Sequence, residues 1–251
     1  MSIEAGKHRP PEHTGQVLVL RDVVRVHGSG DAEVRALDGL TISIAAGEFV
    51  AVMGPSGSGK STLLHLAGGL DTPTSGTVRV EGTDVGALSV SGRAALRRRH
   101  IGYVFQDFNL IPTLTAAENV ALPRELDGTG RKAARTEAMA ALAELEVQDL
   151  ADRFPDEMSG GQQQRTAIAR AIIGKRRLLL ADEPTGALDS HTGEAVLEVL
   201  RGRADAGSAV VLVTHDARFA AWADRVIFLR DGTVIDTAGV DSAEELLAHS
   251  R

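Results

Sequence analysis

Two periods of apolar residues divide this chain into elements. Val17–Val26 reads as a strand, and Gly28-Ser29-Gly30-Asp31 as the turn that follows it. Leu40–Ile44 alternates apolar and small polar residues, as a half-buried strand does. Glu48–Met53 is a continuous apolar run that ends in a glycine-rich loop, and Ser61–Ala67 has a helical look. Gly76–Val80 is a further strand before a Gly82-Thr83 turn. Gly92–Arg99 then predicts a short basic helix and Ile101–Phe105 a strand. Leu178–Ala181 and Ala209–Val213 are uniformly apolar, the pattern of strands buried on both faces of a parallel sheet. Ser190–Arg203 lies between them as a crossover helix, and Val226–Leu229 and Thr233–Asp236 flank Asp231-Gly232, a hairpin signal.

From Thr113 to Asp152 the period changes to that of a helix, with Met139, Leu142 and Leu145 on one face. Ser159-Gly160-Gly161 precedes a second helical stretch, Gln162–Ile173, stopped near Gly174. The pattern predicts an α/β domain over 17–239 with a helical subdomain inserted at about 115–156. It leaves 1–16 as a disordered leader and 240–251 as a C-terminal helical tail.

Composition narrows the classes. Of 251 residues 43% are hydrophobic and only 3% aromatic, so the core is built from Leu, Val, Ile and Ala. The net charge of −7 argues against a nucleic-acid-binding face, and Arg97-Arg98-Arg99-His100 is too short a cluster to reverse that. With no cysteine, disulfides and thiolate metal sites are excluded. No stretch reaches the roughly 18 apolar residues that cross a bilayer. The first residues carry Lys7 and Arg9 but no apolar segment, so no signal peptide is expected. The expectation is a cytoplasmic protein whose membrane association comes through a partner.

Gly54-Pro55-Ser56-Gly57-Ser58-Gly59-Lys60-Ser61 fits the phosphate-binding loop G-x-x-x-x-G-K-[ST], between a strand and a helix. Glycines let the backbone wrap so that several N–H groups converge on phosphates, and the helix N-terminus at Ser61 and Thr62 adds its positive end. Lys60 is placed for the β- and γ-phosphates and Ser61 for Mg²⁺. Leu178–Ala181 ends in Asp182 and Glu183, where parallel strands present ligand-binding groups. Asp182 suits the Mg²⁺ water shell and Glu183 the polarisation of an attacking water. Ser159-Gly160-Gly161-Gln162 reads on its own as an ordinary N-cap or as a second anion site. A second phosphate-reading element in a chain that already has one makes sense if it reads a phosphate held by another subunit.

Taken together these motifs resemble those of ABC transporter nucleotide-binding domains, over about 17–239. Met158-Ser159-Gly160-Gly161-Gln162 is similar to the signature Leu-Ser-Gly-Gly-Gln, with Met for Leu. Gln106 falls at the Q-loop glutamine, which touches Mg²⁺ and senses the membrane partner. Ala187-Leu188-Asp189 matches the D-loop, and His215 the switch histidine that contacts the γ-phosphate. Where the family stacks an aromatic residue on adenine, this chain has His27, with a smaller ring face. Gly69-Leu70-Asp71, Phe105–Thr115 and Asn119–Pro123 resemble the lipoprotein-releasing and macrolide-exporter branch.

The resemblance implies a P-loop ABC ATPase core with a mixed sheet, an antiparallel β subdomain and the helical insert, using ATP and Mg²⁺. It implies a head-to-tail homodimer in the ATP-bound state. One subunit supplies Ser58, Lys60, Ser61, Gln106, Asp182, Glu183 and His215, and the other Ser159, Gly161 and Asp189. It further implies integral membrane permease subunits as separate chains, with the protein peripheral on the inner face of the plasma membrane. The rivals are soluble ABC ATPases of DNA repair or ribosomes. The first needs a long coiled coil and the second tandem domains, and neither pattern occurs here. A regulatory ABC protein without transport stays open.

Overall fold

The computed structural model describes residues 15–239. Strands β1 (Gln16–His27) and β2 (Val34–Ala45) precede β3 (Phe49–Met53), which runs through the glycine-rich loop into α1 (Lys60–Ala67). Then come β4 (Ser75–Val80), β5 (Thr83–Asp84), α2 (Val90–His100) and β6 (Ile101–Val104). Helices α3 (Ala116–Leu126), α4 (Arg131–Glu144) and α5 (Gly160–Ile172) follow, then β7 (Leu178–Asp182) and α6 (Ser190–Asp205). The described chain closes with β8 (Ala209–Val213), α7 (Ala217–Ala220), β9 (Arg225–Arg230) and β10 (Thr233–Gly239).

The strands form an antiparallel sheet of order β2-β1-β4-β5 and a mixed sheet of order β10-β9-β3-β8-β7-β6. In the mixed sheet β9, β3, β8, β7 and β6 run parallel, and β10 is antiparallel at the edge. The uniformly apolar runs are explained by what lies on each side. Successive side chains of a strand face opposite ways. Phe49, Ala51, Met53, Leu179, Ala181, Val210 and Leu212 enter a core shared with α3 to α6. Val50, Val52, Leu178, Leu180, Val211 and Val213 enter a second core shared with α1 and the antiparallel sheet. Neither face meets water, so no polar position interrupts the run.

Several boundaries differ from the sequence reading. Gln16 opens β1 opposite Ala45, and the Gly15 carbonyl accepts from Ala46 N, so the expected leader at 1–16 ends before these two residues. The rest of it, and the expected tail at 240–251, lie outside the described residues. β2 starts six residues before Leu40, because Val34–Gly39 is held mainly by backbone pairing to β1 rather than by burial. The stretch Thr113–Asp152 is broken at Gly128, which has φ 93°, into α3 and α4. The helical layer also extends past 156, because α5 packs against both α3 and α4 as well as β6.

One buried side chain fixes the entry to that layer. Asn119 is fully buried on α3, and its Oδ1 accepts from Ile111 N at 2.7 Å. Its Nδ2 donates to the carbonyls of Ile111, Leu114 and Thr115. A single amide thus satisfies the polar backbone of the segment that leads from β6 to α3, whose N-cap is a Thr115–Glu118 capping box. Asn119→Ala leaves the Ile111 N–H and the Leu114 carbonyl without their partner in a part-buried segment, which costs about 3 kcal/mol. Thermal unfolding is expected to drop by roughly 6–12 °C. A melting temperature equal to wild type would show that Asn119 is dispensable for the segment.

Candidate functional site

The phosphate-type loop is shaped by two close backbone approaches. Gly54 has φ 150°, and a Cβ there would sit 2.1 Å from the Leu229 carbonyl oxygen. Gly59, the residue before α1, has φ 100°, and its Cβ would sit 2.4 Å from the Ala36 carbonyl oxygen. Only glycine fits either place. The Asp231-Gly232 hairpin, with both residues at positive φ, braces the loop from below. Gly232 N donates to the Ser58 carbonyl at 3.1 Å, and the Gly232 carbonyl accepts from Asp38 N at 3.0 Å. Lys60 Nζ donates to the carbonyls of Gly54 and Pro55, both at 2.8 Å. Its burial lowers the pKa, while Glu183 and Asp182 pull it up.

Across from the loop, β7 delivers its two carboxylates. Asp182 is 7% exposed. Burial raises its pKa, against a hydrogen bond from Ser61 and the charges of His65 and Lys60. Glu183 follows with φ 47°, a left-handed conformation rare outside glycine and of the kind that strain concentrates at functional sites. Its N–H still donates to the Val213 carbonyl at 3.0 Å, and its Oε1 lies 2.9 Å from His215 Nδ1.

These groups surround a cavity of about 790 Å³. Gly54, Ser56, Gly57, Gly59, Lys60, Ser61 and Thr62 line one side, and Gln106, Asp182, Glu183 and His215 the other. Ser58 does not line it; it lies beneath the loop, 2% exposed. His27 is exposed and does not line it either, although its cross-strand partner Val34 does. Val34, Ala36 and Gly186 line it without having been singled out in the sequence, and Asp107, Phe108 and Ala187 line it although the sequence reading quoted them without a site role. Asp107, Phe108 and Ala187 adjoin motifs, which is a usable signal. Val34 and Ala36 carry none, since the pairing of β2 brings them there.

Ser159, Gly160, Gly161, Gln162 and Asp189 stand apart from this cavity. Ser159 caps α5: Gln162 N donates to its Oγ at 3.3 Å, and Ser159 N donates to Gln162 Oε1 at 2.8 Å. The ordinary cap is therefore formed, yet Ser159 and Gly160 remain exposed. Asp189 caps α6 through Thr192 N at 2.9 Å. The loop after Gln106 is tied to α5 by Arg170, which donates to the carbonyls of Asn109 at 2.5 Å and Phe108 at 2.7 Å.

A sequence model described as ABC transporter matches residues 37–186. The chain belongs to the ABC transporter family. Relatives include the macrolide export ATP-binding/permease protein MacB of Brucella melitensis, 50% identical over 219 residues, which are 87% of this chain and 34% of that protein. MacB of Escherichia coli K12 is 47% identical over the same shares. The chain thus spans about a third of the length of the curated relatives it matches. A dimeric post-hydrolysis structure of the ATP-binding cassette MJ0796, bound to ADP and Pi, superposes with a TM-score of 0.85 at 42% identity. It covers 89% of this chain and 98% of that one. The fold is that of an ABC ATPase cassette, and the 790 Å³ cavity gathers the glycine-rich loop, Asp182, Glu183 and His215.

The buried carboxylate makes a linked prediction. Asp182 has a pKa raised above the ordinary 3.8, so the folded state holds its proton more tightly than the unfolded state. As pH rises from 3.8 through the folded value, the folded state loses stability. Asp182→Asn carries no charge to desolvate and still accepts from Ser61. Without nucleotide it is expected to melt above wild type at neutral pH, with the gap closing toward pH 3.8, and to have lost ATP hydrolysis. A variant that melts lower at every pH would contradict this origin of the shift.

Proposed function

We propose that this ABC ATPase cassette is the motor of a membrane exporter, working as a head-to-tail dimer that closes on two ATP molecules and drives an integral membrane permease. The observation that carries the proposal is a separation within one chain. The cavity gathers the phosphate loop, Asp182, Glu183 and His215, while the exposed N-terminus of α5 lies outside it. A helix N-terminus with free N–H groups suits a phosphate, so a second copy is the natural owner of the phosphate it reads. The dimeric MJ0796 cassette and the names of the MacB relatives support the assembly and the export role. Among the described residues no helix is long and apolar enough to cross a membrane. In this reading the loop after Gln106, which Arg170 ties to α5, passes the nucleotide state to the permease at the inner face of the plasma membrane.

Each residue has a task in this reading. Lys60 leaves the Gly54 and Pro55 carbonyls for the β- and γ-phosphate oxygens. Ser61, Asp182 and Gln106 form an oxygen-donor set that suits a hard divalent cation, and the hydrogen-bonded, buried Asp182 carboxyl fits the part. Mg²⁺, when bound by them, neutralises charge on the β- and γ-oxygens. Glu183 accepts a hydrogen bond from the attacking water, with its carboxylate oriented by His215 at 2.9 Å. The base end of ATP lies toward the β1–β2 hairpin, where Val34 gives apolar contact while His27, its cross-strand partner, stands outside the lining.

Two experiments check the dimer. Glu183→Gln is expected to lower turnover by about 10²–10⁴ while ATP still binds. The mutant should then run at doubled mass with ATP on size exclusion; a monomer at saturating ATP contradicts closure. Ser159→Arg and Lys60→Ala are each expected to be inactive. Mixed one to one, their heterodimers retain one intact composite site, so about a quarter of wild-type activity should return. No recovery in a mixture that forms heterodimers would place both residues in one subunit's site.

A further inference from the structure

Away from the nucleotide cavity, and sharing no lining residue with it, a second cavity of about 350 Å³ opens between the C-terminal ends of α2 and α3, α4 and the turn after α5. Five cationic side chains line it, Arg98, Arg99, Arg124, Lys175 and Arg176, against two carboxylates, Asp127 and Glu137. Both carboxylates are already engaged: Asp127 with Arg99 at 2.7 Å and Glu137 with Arg124 at 2.7 Å. Those hydrogen bonds hold both carboxyls below their ordinary values. Arg98, Lys175 and Arg176 have no carboxylate partner among the described residues.

Arg176 is the unusual member. It is 7% exposed, donates to the backbone carbonyls of Arg97 and Arg98, and has a buried Nε with no protein partner. Arg98 Nε is likewise buried and unpartnered. Burial pushes the Arg176 guanidinium down to about 10. An adjoining cavity of about 150 Å³ shares Arg98 and Arg176, adds Arg97 and Arg170, and has no carboxylate in its lining. Basic residues in the last turn of α2 complement the helix dipole, and that accounts for Arg97 to Arg99. It does not account for a buried cation beyond the end of α5 whose Nε lacks an acceptor. Buried charges are normally paired, and an unmatched one is stabilised when a counter-ion completes its hydrogen bonds. The chain as a whole carries −7, so this concentration of positive charge is local.

We propose that the cavity around Arg98 and Arg176 is a second anion site that takes a phosphate-class oxyanion, either free phosphate or a phosphomonoester head group. Planar guanidinium forks match the oxygens of such a group. The volume leaves room for the substituent that a head group brings. The site stands whether or not the exporter reading holds, because it rests on none of the nucleotide residues. It lies one side chain from the loop after Gln106, through Arg170.

The test is thermal unfolding of the full chain with ADP saturating the nucleotide cavity, titrating sodium phosphate against sodium chloride of matched ionic strength. Wild type is expected to gain about 3–6 °C at tenfold excess over the dissociation constant. Arg176→Met and Arg98→Met should each lose that phosphate-dependent gain. Without phosphate, Arg176→Met should melt at or above wild type, because an unmatched buried charge is gone. Equal lowering of the variants at every phosphate concentration would overturn the site and leave a helix-capping role. So would wild type without a phosphate response, and equal stabilisation by acetate would assign the cavity to carboxylates instead. Flotation with phosphatidylcholine vesicles, with and without phosphatidic acid, separates the sources. Phosphatidic-acid-dependent binding lost in Arg176→Met supports the head group, and a phosphate response without flotation supports the free ion.

Discussion

The rest of the site depends on how closely the backbone is packed around the loop between β3 and α1. Gly54 and Gly59 press against the carbonyls of Leu229 and Ala36, with no space for a Cβ at either. These contacts, with the bond from Gly232 N to the Ser58 carbonyl, fix the loop on three sides: β9, β2 and the β9–β10 hairpin. A loop held by backbone contacts presents its N–H groups without first having to be ordered, which is what anion binding by backbone amides requires. It also explains why two sheets are needed. The mixed sheet brings β3, β7 and β9 together, while β2, which delivers Ala36, belongs to the antiparallel one.

Opposite the loop, the chain accepts local instability for chemistry. Asp182 is buried with its pKa raised, and Glu183 takes a left-handed backbone that a non-glycine residue adopts at a cost of roughly 1–3 kcal/mol. The cost is borne by β7, buried on both faces and hydrogen-bonded on both sides by β6 and β8. The strand end can be strained because the strand itself has nowhere to move. The same strain lets Glu183 line the cavity and meet His215, which follows β8.

The helical layer joins the exposed N-terminus of α5 to the loop that follows β6. α5 is capped by the exposed Ser159, and along its length Arg170 holds the carbonyls of Phe108 and Asn109. Phe108 and Asn109 both have positive φ, near 50°. Phe108 lines the 790 Å³ cavity, so one guanidinium joins the loop beside that cavity to the helix whose N-terminus is exposed. The guanidinium is desolvated and neutralised by no carboxylate in the adjoining cavity lining, and its energy comes from two short bonds to carbonyl oxygens. The cationic surface on the far side of Arg170 continues into the cavity around Arg176.

Wherever physics acts over a few neighbouring residues, the amino-acid order by itself settled the outcome. The phosphate loop, the β7 strand ending in Asp182 and Glu183, the Asp231-Gly232 hairpin and the apolar runs were all legible. Each is set by local backbone chemistry or by burial on both faces. Met139 and Leu142 lie three apart on α4, as the period requires, while Leu145 caps the helix end and packs into the same core. Tertiary structure decided whatever depends on meeting across the chain. Val34 and Ala36 line the cavity because β2 pairs with β1 and reaches the loop, and their side chains carry no chemical mark. Ser58 matched a motif position yet lies underneath, since the hairpin holds its carbonyl. Arg176 carries no mark in the sequence. Only the convergence of α2, α3, α4 and the turn after α5 buries it, because exclusion from water is a property of the assembled fold and not of the residue.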